Sequence, residues 1–452
     1  MLTVIRNAEV LVTMDDARRE IAGGALAFAD GVIVAVGTNA ELAGLTATAD
    51  TIIEAADCVV TPGLVNTHHH LYQTLTRAVP GAIDASLFGW LRTLYPIWAR
   101  YTPDDVYAAT RLGLAELALS GCTMSADHLY LFPNGVTLDD TIAAAATIGI
   151  RFHPTRGAMS VGQSAGGLPP DELIEDERAI LNDTIRVIDR FHDGRPGAMV
   201  RVGVAPCSPF SVSQGLMRDA ALLAREKGVM LHTHLAEDAE DVAFSLERFG
   251  CRPGDYAEGL GWTGSDVWHA HCVQLDAREI ALFARSGTGI AHCPCSNCRL
   301  GSGIAPVAAM MAQGVRVGIG VDGSASSDSG NLLAEARQAM LLQRVAGGAG
   351  ALAPRDALYL ATRGGAAVLG RDDCGVLTPG MRADFAVWDM ADIASAGAWD
   401  LVAALVLCPP QGARDVFVEG AAVVRDGELV QARRGDILRA ASHSRARLME
   451  CA

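Results

Sequence analysis

Eight short apolar segments alternate with helical stretches between residues 63 and 323, and this alternation constrains the fold more than any other feature. Stretches such as SQGLMRDAALLAREKG and DAREIALFARSG have helical composition and end at glycine, as helix C-caps require. The apolar segments are GLVNTHHH, CTMSADH, IRFHPTR, MVRVGVAPC, VMLHTHL, DVWHAHC, GTGIAHC and RVGIGVDG. Strands that alternate with helices indicate βα units around a parallel sheet. Eight such units predict an α/β fold, a closed (βα)8 barrel of the TIM type.

Both ends of the chain have a different composition, with short strands and turn signals in place of long helices. LTVIRNAEVLV and GALAFADGVIVAVG lie at the start, and GMRADFAVWDM and DVFVEGAAVVRDGELV lie near the end. We expect residues 1–60 and 373–452 to form one small, discontinuous β-sandwich beside a barrel at 61–372. DILRAASHSRARLMEC is expected to be a final helix.

Charge and composition limit the partners of this chain. A formal net charge of -16, without a local Lys/Arg cluster, disfavours nucleic acid and favours a small-molecule substrate. The sequence contains no run of eighteen apolar residues, so it predicts no membrane span. Eleven cysteines without regular pairing, and a start that alternates like a strand, favour the reducing cytoplasm.

Histidines cluster at the carboxyl ends of the predicted strands, where TIM-barrel enzymes place their active sites. Seven of the twelve lie at the ends of three strands, and chance clustering of so many costly buried imidazoles is improbable. They are His68, His69, His70, His232, His234, His269 and His271. Because strand side chains alternate, His68 and His70 face one side and His69 the other. Three imidazoles and one carboxylate suit zinc and leave a position for water, and His68, His70, His234 and Asp322 meet that description.

Three more residues flank this predicted zinc site. His232 and His269 lie two residues deeper on their strands, and we interpret them as groups behind the site or in the core. Glu237 follows His234 by three positions, past the strand end, where a carboxylate can shuttle protons above a substrate. Its alternative role is a charge at the start of a helix.

The segments PGLVNTHHH, HTHLAE, HAHC, HCPCSN and VDGSASSDSGN resemble the motif set of the amidohydrolase superfamily, specifically its cytosine, guanine and adenosine-type deaminase branch. The resemblance covers the whole chain, split β-sandwich included. It implies one zinc ion held by His68, His70, His234 and Asp322, with Glu237, His271 and Asp322 as catalytic residues. Iron stays an alternative, because geometry and availability rather than ligand type decide the metal.

Within that branch, the stretch HHHLYQTLTRAVPGAIDASLFGWLRTLYPIWARYTP resembles the 8-oxoguanine deaminases. This resemblance implies hydrolysis of 8-oxoguanine to uric acid and ammonia, and we expect a homo-oligomer. The alternative enzyme is an N-alkylaminohydrolase of hydroxylated triazines, which uses the same metal and differs in pocket volume. A barrel that has lost catalysis is disfavoured, because three histidines, Asp322 and Glu237 are all retained.

Other metal arrangements lack their ligands. A second metal bridged by a carboxylated lysine is excluded, because the only lysine, Lys227, precedes the fifth strand at the remote end of the barrel. The segment HCPCSNC contains P-C-x-x-C, half of the zinc signature of cytidine-deaminase folds, but the H-x-E half is absent. A closed structural site needs four ligands, so we interpret Cys295 and Cys298 as loop residues.

Three residues are candidates for contacts with the substrate. The Gln73 amide can both donate to and accept from a purine edge. Arg156 ends the third strand and would hold a carbonyl oxygen, or else form a surface ion pair. Cys207 ends the fourth strand and either faces the substrate or packs as a buried thiol. Trp90 and Trp98 are expected to pack in the core rather than cap the pocket.

Overall fold

The structure is a computed structural model that describes residues 1–450, and its strands form two sheets. The first five strands are β1 (Leu2–Val12), β2 (Glu20–Ala29), β3 (Val32–Thr38), β4 (Thr51–Glu54) and β5 (Cys58–Pro62). The next eight are β6 (Leu64–Asn66), β7 (Cys122–Leu129), β8 (Arg151–Ala158), β9 (Gly203–Pro206), β10 (Leu231–Leu235), β11 (Val267–His271), β12 (Gly289–His292) and β13 (Arg316–Ile319). The last four are β14 (Phe385–Asp389), β15 (Asp415–Val418), β16 (Ala421–Arg425) and β17 (Glu428–Leu429).

Strands β6 to β13 form a closed parallel barrel. Each strand pairs with the next in chain order, and β13 returns to β6 through the pairing of Ile319 with Asn66. Each strand falls on one of the eight predicted segments, with β7 and β8 ending one and two residues beyond theirs, so the predicted (βα)8 barrel is confirmed. Closure directs the carboxyl ends of all eight strands to one face, where side chains from distant parts of the chain meet.

The helices begin and end at the signals that their sequences carry. Ser213 caps the helix Gln214–Lys227 by accepting the Leu216 N–H at 3.0 Å, and this helix ends before Gly228, whose φ is +67°. The first eight helices are α1 (Ala43–Ala47), α2 (Leu87–Trp98), α3 (Pro103–Leu119), α4 (Leu138–Ala146), α5 (Glu177–Phe191), α6 (Gln214–Lys227), α7 (Ala239–Phe249) and α8 (Pro253–Gly259). The remaining eight are α9 (Ala277–Ser286), α10 (Pro294–Arg299), α11 (Val307–Ala312), α12 (Leu332–Gly347), α13 (Pro354–Tyr359), α14 (Gly365–Val368), α15 (Leu401–Leu407) and α16 (Arg434–Glu450). Among residues 1–450, no helix combines the length and apolarity that crossing a bilayer requires.

The accessory β-unit contains strands from both ends of the chain, as predicted. Its hydrogen-bonded order is β17-β16-β15-β14-β5-β1-β2-β3, with β4 beside β1. Phe28 on β2 nevertheless packs against Phe385 and Phe417 of β14 and β15, with ring centroids 5.5 and 6.0 Å apart. The sheet therefore folds over on itself around a core of its own, in the manner of a sandwich.

A buried ion-pair network connects the barrel to this accessory sheet. Arg151, at the start of β8, is fully buried and donates to both carboxylate oxygens of Asp384, at 2.5 and 2.9 Å. The same guanidinium pairs with Glu419, which follows β15. The bidentate geometry offsets the desolvation of both charges and fixes the register between the two units.

We expect Arg151→Met to lower the free energy of unfolding by about 3–5 kcal/mol, because Asp384 would be left charged, buried and unpaired. Guanidinium denaturation followed by tryptophan fluorescence measures this change. The double variant Arg151→Met/Asp384→Asn should recover part of the loss. Arg278→Met, which breaks an exposed pair with Asp255, is the control and should not shift the midpoint. An equal loss in the single and double variants would contradict this role.

Candidate active site

Four of the predicted site residues meet at the carboxyl ends of their strands. His68 and His70 follow β6, His234 lies on β10, and Asp322 follows β13; all four are buried. Asp322 Oδ1 lies 3.3 Å from His68 Nε2 and 3.4 Å from His70 Nε2. The Nε2 atoms of His70 and His234 lie 3.0 Å apart. The structure thus brings together the residues that the sequence proposes as metal ligands.

Hydrogen bonds behind His70 and His234 determine which ring nitrogen carries the proton. His70 Nδ1–H donates to the His128 carbonyl, and His234 Nδ1–H donates to the Cys207 carbonyl, both at 2.7 Å. A carbonyl only accepts, so each Nε2 presents a lone pair to the centre of the site. Burial lowers the pKa of His234 to about 3, so this ring is neutral at neutral pH.

This geometry fits a bound cation. Two lone pairs that face each other at 3.0 Å repel, and the buried His68 Nε2 has no hydrogen-bond partner. A divalent ion between neutral imidazoles and one carboxylate removes both costs, and this donor set suits zinc. The potential ligand atoms of His68, His271 and Asp322 also lie within 4.8 Å of one another.

His128 adjoins the cluster, although the sequence did not single it out as a site residue. Its ring stacks on His234 with centroids 4.9 Å apart, and its Nε2–H donates to the Ala205 carbonyl at 2.8 Å. It belongs to a second group of potential ligands, with His68, His70 and His234. The signal was present, because His128 ends the second apolar segment just as His70 and His234 end theirs.

Glu237 and His271 face each other beside Asp322. Glu237 Oε2 lies 3.7 Å from His271 Nε2, which in turn lies 3.9 Å from Asp322 Oδ2. Burial, and next the charge of Asp322, raise the pKa of Glu237 well above its ordinary value. Burial also opposes ionisation of Asp322, but His68, whose Nε2 lies 3.3 Å from Oδ1, and the neighbouring His271 and His70 lower its pKa well below the ordinary value.

The short helix α10 orients two of these groups. Asn297 Oδ1 accepts the His271 Nδ1–H at 2.9 Å, and Ser296 Oγ donates to Asp322 Oδ2 at 2.5 Å. Both residues lie in HCPCSN, one of the motifs that resemble the family, but the sequence alone predicts no role for either of them. Cys295 and Cys298, expected in a loop, lie on the same helix, because Pro294 and the residues after it form a helical turn.

A cavity lies above the cluster, and three residues from outside the cluster that the sequence suggests for the pocket line it. They are Gln73, Cys207 and Trp90. Gln73 Oε1 is buried without a hydrogen-bond partner, so it can bind a ligand group. Trp90 therefore lies at the pocket and not only in the core, whereas Trp98 donates to Thr76 and packs inside as expected. The cavity is lined by His70, Gln73, Leu87, Trp90, Leu91, Tyr95, Tyr130, Cys207, Phe210, His234, Glu237, His271, Leu300, Asp322 and Ser326.

Arg156, the third candidate for substrate contact, does not line this cavity. Its guanidinium pairs with Glu175 and Asp183, both at 2.7 Å, and lies 3.7 Å from the centre of the Phe132 ring. The two acids follow β8 along the chain and satisfy the charge of Arg156 locally. The side chain is buried, so the ion pairs that it forms are not at the surface, and its contact with the substrate stays a prediction.

The remaining residues lie away from the cavity. His269 Nε2–H donates to the Trp262 carbonyl at 2.9 Å, whereas His232 contacts His68 directly. His69 faces away from the cluster towards Gly113. Lys227, the only lysine of the chain, ends α6 and pairs with Asp189 at 2.6 Å. Its amine therefore lies before β10 and not at the site.

Removal of divalent metal with a chelator is expected to lower the thermal midpoint, because an ion that binds only the folded state stabilises it. Zinc at one hundred times its Kd would contribute about 2.7 kcal/mol. Calorimetry of chelated and zinc-restored protein measures this difference. In the double variant His70→Ala/His234→Ala, added zinc should no longer shift the midpoint. Identical midpoints for chelated and restored wild-type protein would contradict a metal site.

Known proteins share this architecture and much of this sequence. Residues 59–423 match the family model described as "Amidohydrolase family". The 8-oxoguanine deaminase of Pseudomonas aeruginosa PAO1 is 48% identical over 376 residues, which are 83% of this chain and 84% of that protein. Hydroxydechloroatrazine ethylaminohydrolase of Pseudomonas sp. strain ADP is 39% identical over 401 residues, 86% of this chain and 83% of that protein.

Solved structures agree with the family match. Atrazine chlorohydrolase of Arthrobacter aurescens TC1, complexed with zinc, superimposes with a TM-score of 0.93 at 33% identity, covering 98% of this chain and 100% of that chain. The chain therefore belongs to the amidohydrolase family, as an amidohydrolase-type deaminase or hydrolase with a metal-binding histidine cluster.

Proposed function

We propose that this protein is a zinc-dependent deaminase that converts 8-oxoguanine and water to uric acid and ammonia, with one zinc ion per chain. The observation that carries the proposal is the placement of Glu237, His271 and Asp322 beside converging imidazole lone pairs on one wall of a cavity. The substrate follows from the 48% identity to the P. aeruginosa 8-oxoguanine deaminase. A cavity lined by aromatic and aliphatic walls with a few polar groups is typical of small-molecule sites.

His68, His70, His234 and Asp322 would hold the zinc ion. When bound, zinc acts as a Lewis acid that makes water a nucleophile at neutral pH. The residues of the chain supply the proton transfers and the orientation of the substrate.

Two carboxyl groups with opposite pKa shifts divide the proton transfers between them. Glu237, whose pKa is raised, holds its proton more readily than an ordinary glutamate and can donate it to the ring nitrogen beside the attacked carbon. Asp322, whose pKa is lowered, is ionised and can accept the proton of the attacking water. The same proton, passed to the exocyclic amine, lets ammonia leave as the C–N bond breaks. The hydroxyl proton on the attacked carbon then returns to Glu237, which forms the carbonyl of the product and restores both carboxyl groups. His271 is held by Asn297 in the orientation that faces both carboxyl groups.

Gln73 and Cys207 are proposed to contact the purine edge. The unpartnered Gln73 Oε1 can accept a ring N–H, and its amide N–H group can donate to a carbonyl. Burial raises the pKa of Cys207 to about 12, so its thiol stays neutral beside the ligand. A neutral wall suits an uncharged base.

Ammonia release from a panel of heterocycles tests the proposed substrate. We expect the highest kcat/KM with 8-oxoguanine and lower values with guanine, isocytosine and hydroxyatrazine. Ethylamine release from an N-ethylamino hydroxytriazine, without ammonia release from 8-oxoguanine, would replace the proposal with the N-alkylaminohydrolase alternative. Ammonia from guanine but not from its 8-oxo form would overturn the substrate.

Glu237→Gln is expected to lower kcat by about 10²–10⁴-fold, because the amide cannot donate and regain an acidic proton. Steady-state ammonia release measures this, and elemental analysis should give an unchanged zinc content. Glu240→Gln changes an exposed residue of the following helix and serves as the matched control. Wild-type kcat in Glu237→Gln would remove this residue from the mechanism.

Gln73→Leu is expected to lower kcat/KM for 8-oxoguanine by about 10–100-fold, since one or two hydrogen bonds to the substrate are lost in a desolvated pocket. Gln338→Leu, on α12 outside the cavity lining, is the control. Equal kcat/KM values for the two variants would show that Gln73 does not bind the substrate.

A further inference from the structure

His232 lies directly behind one of the proposed metal ligands. His232 Nε2 lies 2.8 Å from His68 Nδ1, and His232 Nδ1 lies 3.0 Å from the Trp268 carbonyl oxygen. His232 on β10 and Trp268 on β11 are register partners, so strand pairing in the barrel sets the contact between His232 and the Trp268 carbonyl. The Trp268 carbonyl, His232 and His68 therefore form one hydrogen-bonded row, and His68 Nε2 at the end of the row faces Asp322 Oδ1 at 3.3 Å.

The direction of this row follows from its last acceptor. The Trp268 carbonyl can only accept, so His232 Nδ1 carries the proton and His232 Nε2 keeps a lone pair. That lone pair accepts the Nδ1–H of His68, and His68 Nε2 is left as a lone pair towards the site. Each ring in the row has one protonated and one free nitrogen, so the row fixes both tautomers without a net charge.

His232 is itself held rigidly. Its ring stacks on the Trp268 indole with centroids 4.4 Å apart and an angle of 18° between the planes. The Trp268 Nε1–H donates to the Thr67 carbonyl at 3.1 Å, which anchors the indole to the residue before His68. The side chain of His232 is 1% exposed, so water does not substitute for these contacts.

His68 differs from the other two proposed histidine ligands in its acceptor. His70 and His234 donate to backbone carbonyls, which no substitution removes. His68 donates to a side chain. We propose that His232 is a positioning residue that fixes the proton of His68 on Nδ1 and thereby sets the affinity of the site for zinc.

This inference rests on the proposed function, because it requires that His68 binds zinc. Hydrogen bonds of this type orient ligand imidazoles, and their loss costs about 10–100-fold in metal affinity. His232→Phe removes the acceptor and keeps an aromatic ring against Trp268. His232→Gln places an amide oxygen near the position of Nε2 and retains an acceptor.

Zinc affinity, measured by competition with a chromophoric chelator and without substrate, tests the inference. We expect His232→Phe to weaken zinc binding by about 10–100-fold, and His232→Gln to remain close to wild type. The control is His269→Phe, which changes another buried histidine that donates to a backbone carbonyl, away from the cavity. It should lower stability without changing zinc affinity.

Each outcome separates the two proposals. Wild-type affinity in His232→Phe overturns the role of His232 and leaves the proposed function intact. Wild-type protein that binds no zinc overturns both. Nitrogen-15 NMR of the histidines in metal-free wild-type protein gives a test that needs no variant: protonation of His232 on Nδ1 alone supports the row, and protonation on Nε2 overturns it.

Discussion

The convergence of neutral imidazole lone pairs at the mouth of a closed barrel is the constraint on which the site depends. Facing lone pairs of His70 and His234 at 3.0 Å repel, and burial prevents water from separating them. Protonation would relieve the repulsion, but burial lowers the pKa of His234 to about 3 and makes the charged form costly. A bound cation satisfies the same lone pairs without adding a buried proton, so the barrel is built around a charge that its own side chains do not supply.

The barrel backbone performs much of the orientation. The carbonyls of His128 and Cys207 lie at the ends of β7 and β9, the strands next to β6 and β10, and accept the Nδ1–H groups of His70 and His234. Strand pairing therefore fixes the ligand tautomers as a consequence of the fold. Arg151 extends this dependence to the accessory sheet, since its buried pairing with Asp384 holds the start of β8 against the strand β14.

Sequence periodicity was sufficient for the barrel and for most of the cluster. Alternation along the first barrel segment, GLVNTHHH, predicts that His68 and His70 face one side. The structure brings both to Asp322, as this prediction requires. Arg156 satisfied the same positional rule, yet its partners Glu175 and Asp183 come from chain that follows β8. Position on a strand predicts where a side chain begins, but only the surrounding packing determines whether its charge is already paired.

Groups that act through other residues were harder to find. Ser296 and Asn297 lie on a helix of six residues whose position depends on the loop before it, so no periodicity linked them to Asp322 and His271. The role of His232 depends on a contact across strands whose distance the sequence does not state. Such residues become visible only when closure of the barrel is known in three dimensions.

Two carboxyl groups in one cavity have opposite pKa shifts because burial raises the pKa of Glu237, whereas the neighbouring His68, His271 and His70 lower the pKa of Asp322. Asp322 accepts the Gly323 N–H at 2.7 Å and the hydroxyl groups of Ser296 and Ser326 at 2.5 and 3.2 Å. Among residues 1–450, no such donor reaches the Glu237 carboxyl, and desolvation together with the charge of Asp322 raises its pKa. Environments that separate the pKa values of neighbouring acids assign the acid and the base. The proposed division of proton transfer between Glu237 and Asp322 thus follows from the burial of Glu237 and from the histidines and hydrogen-bond donors that surround Asp322.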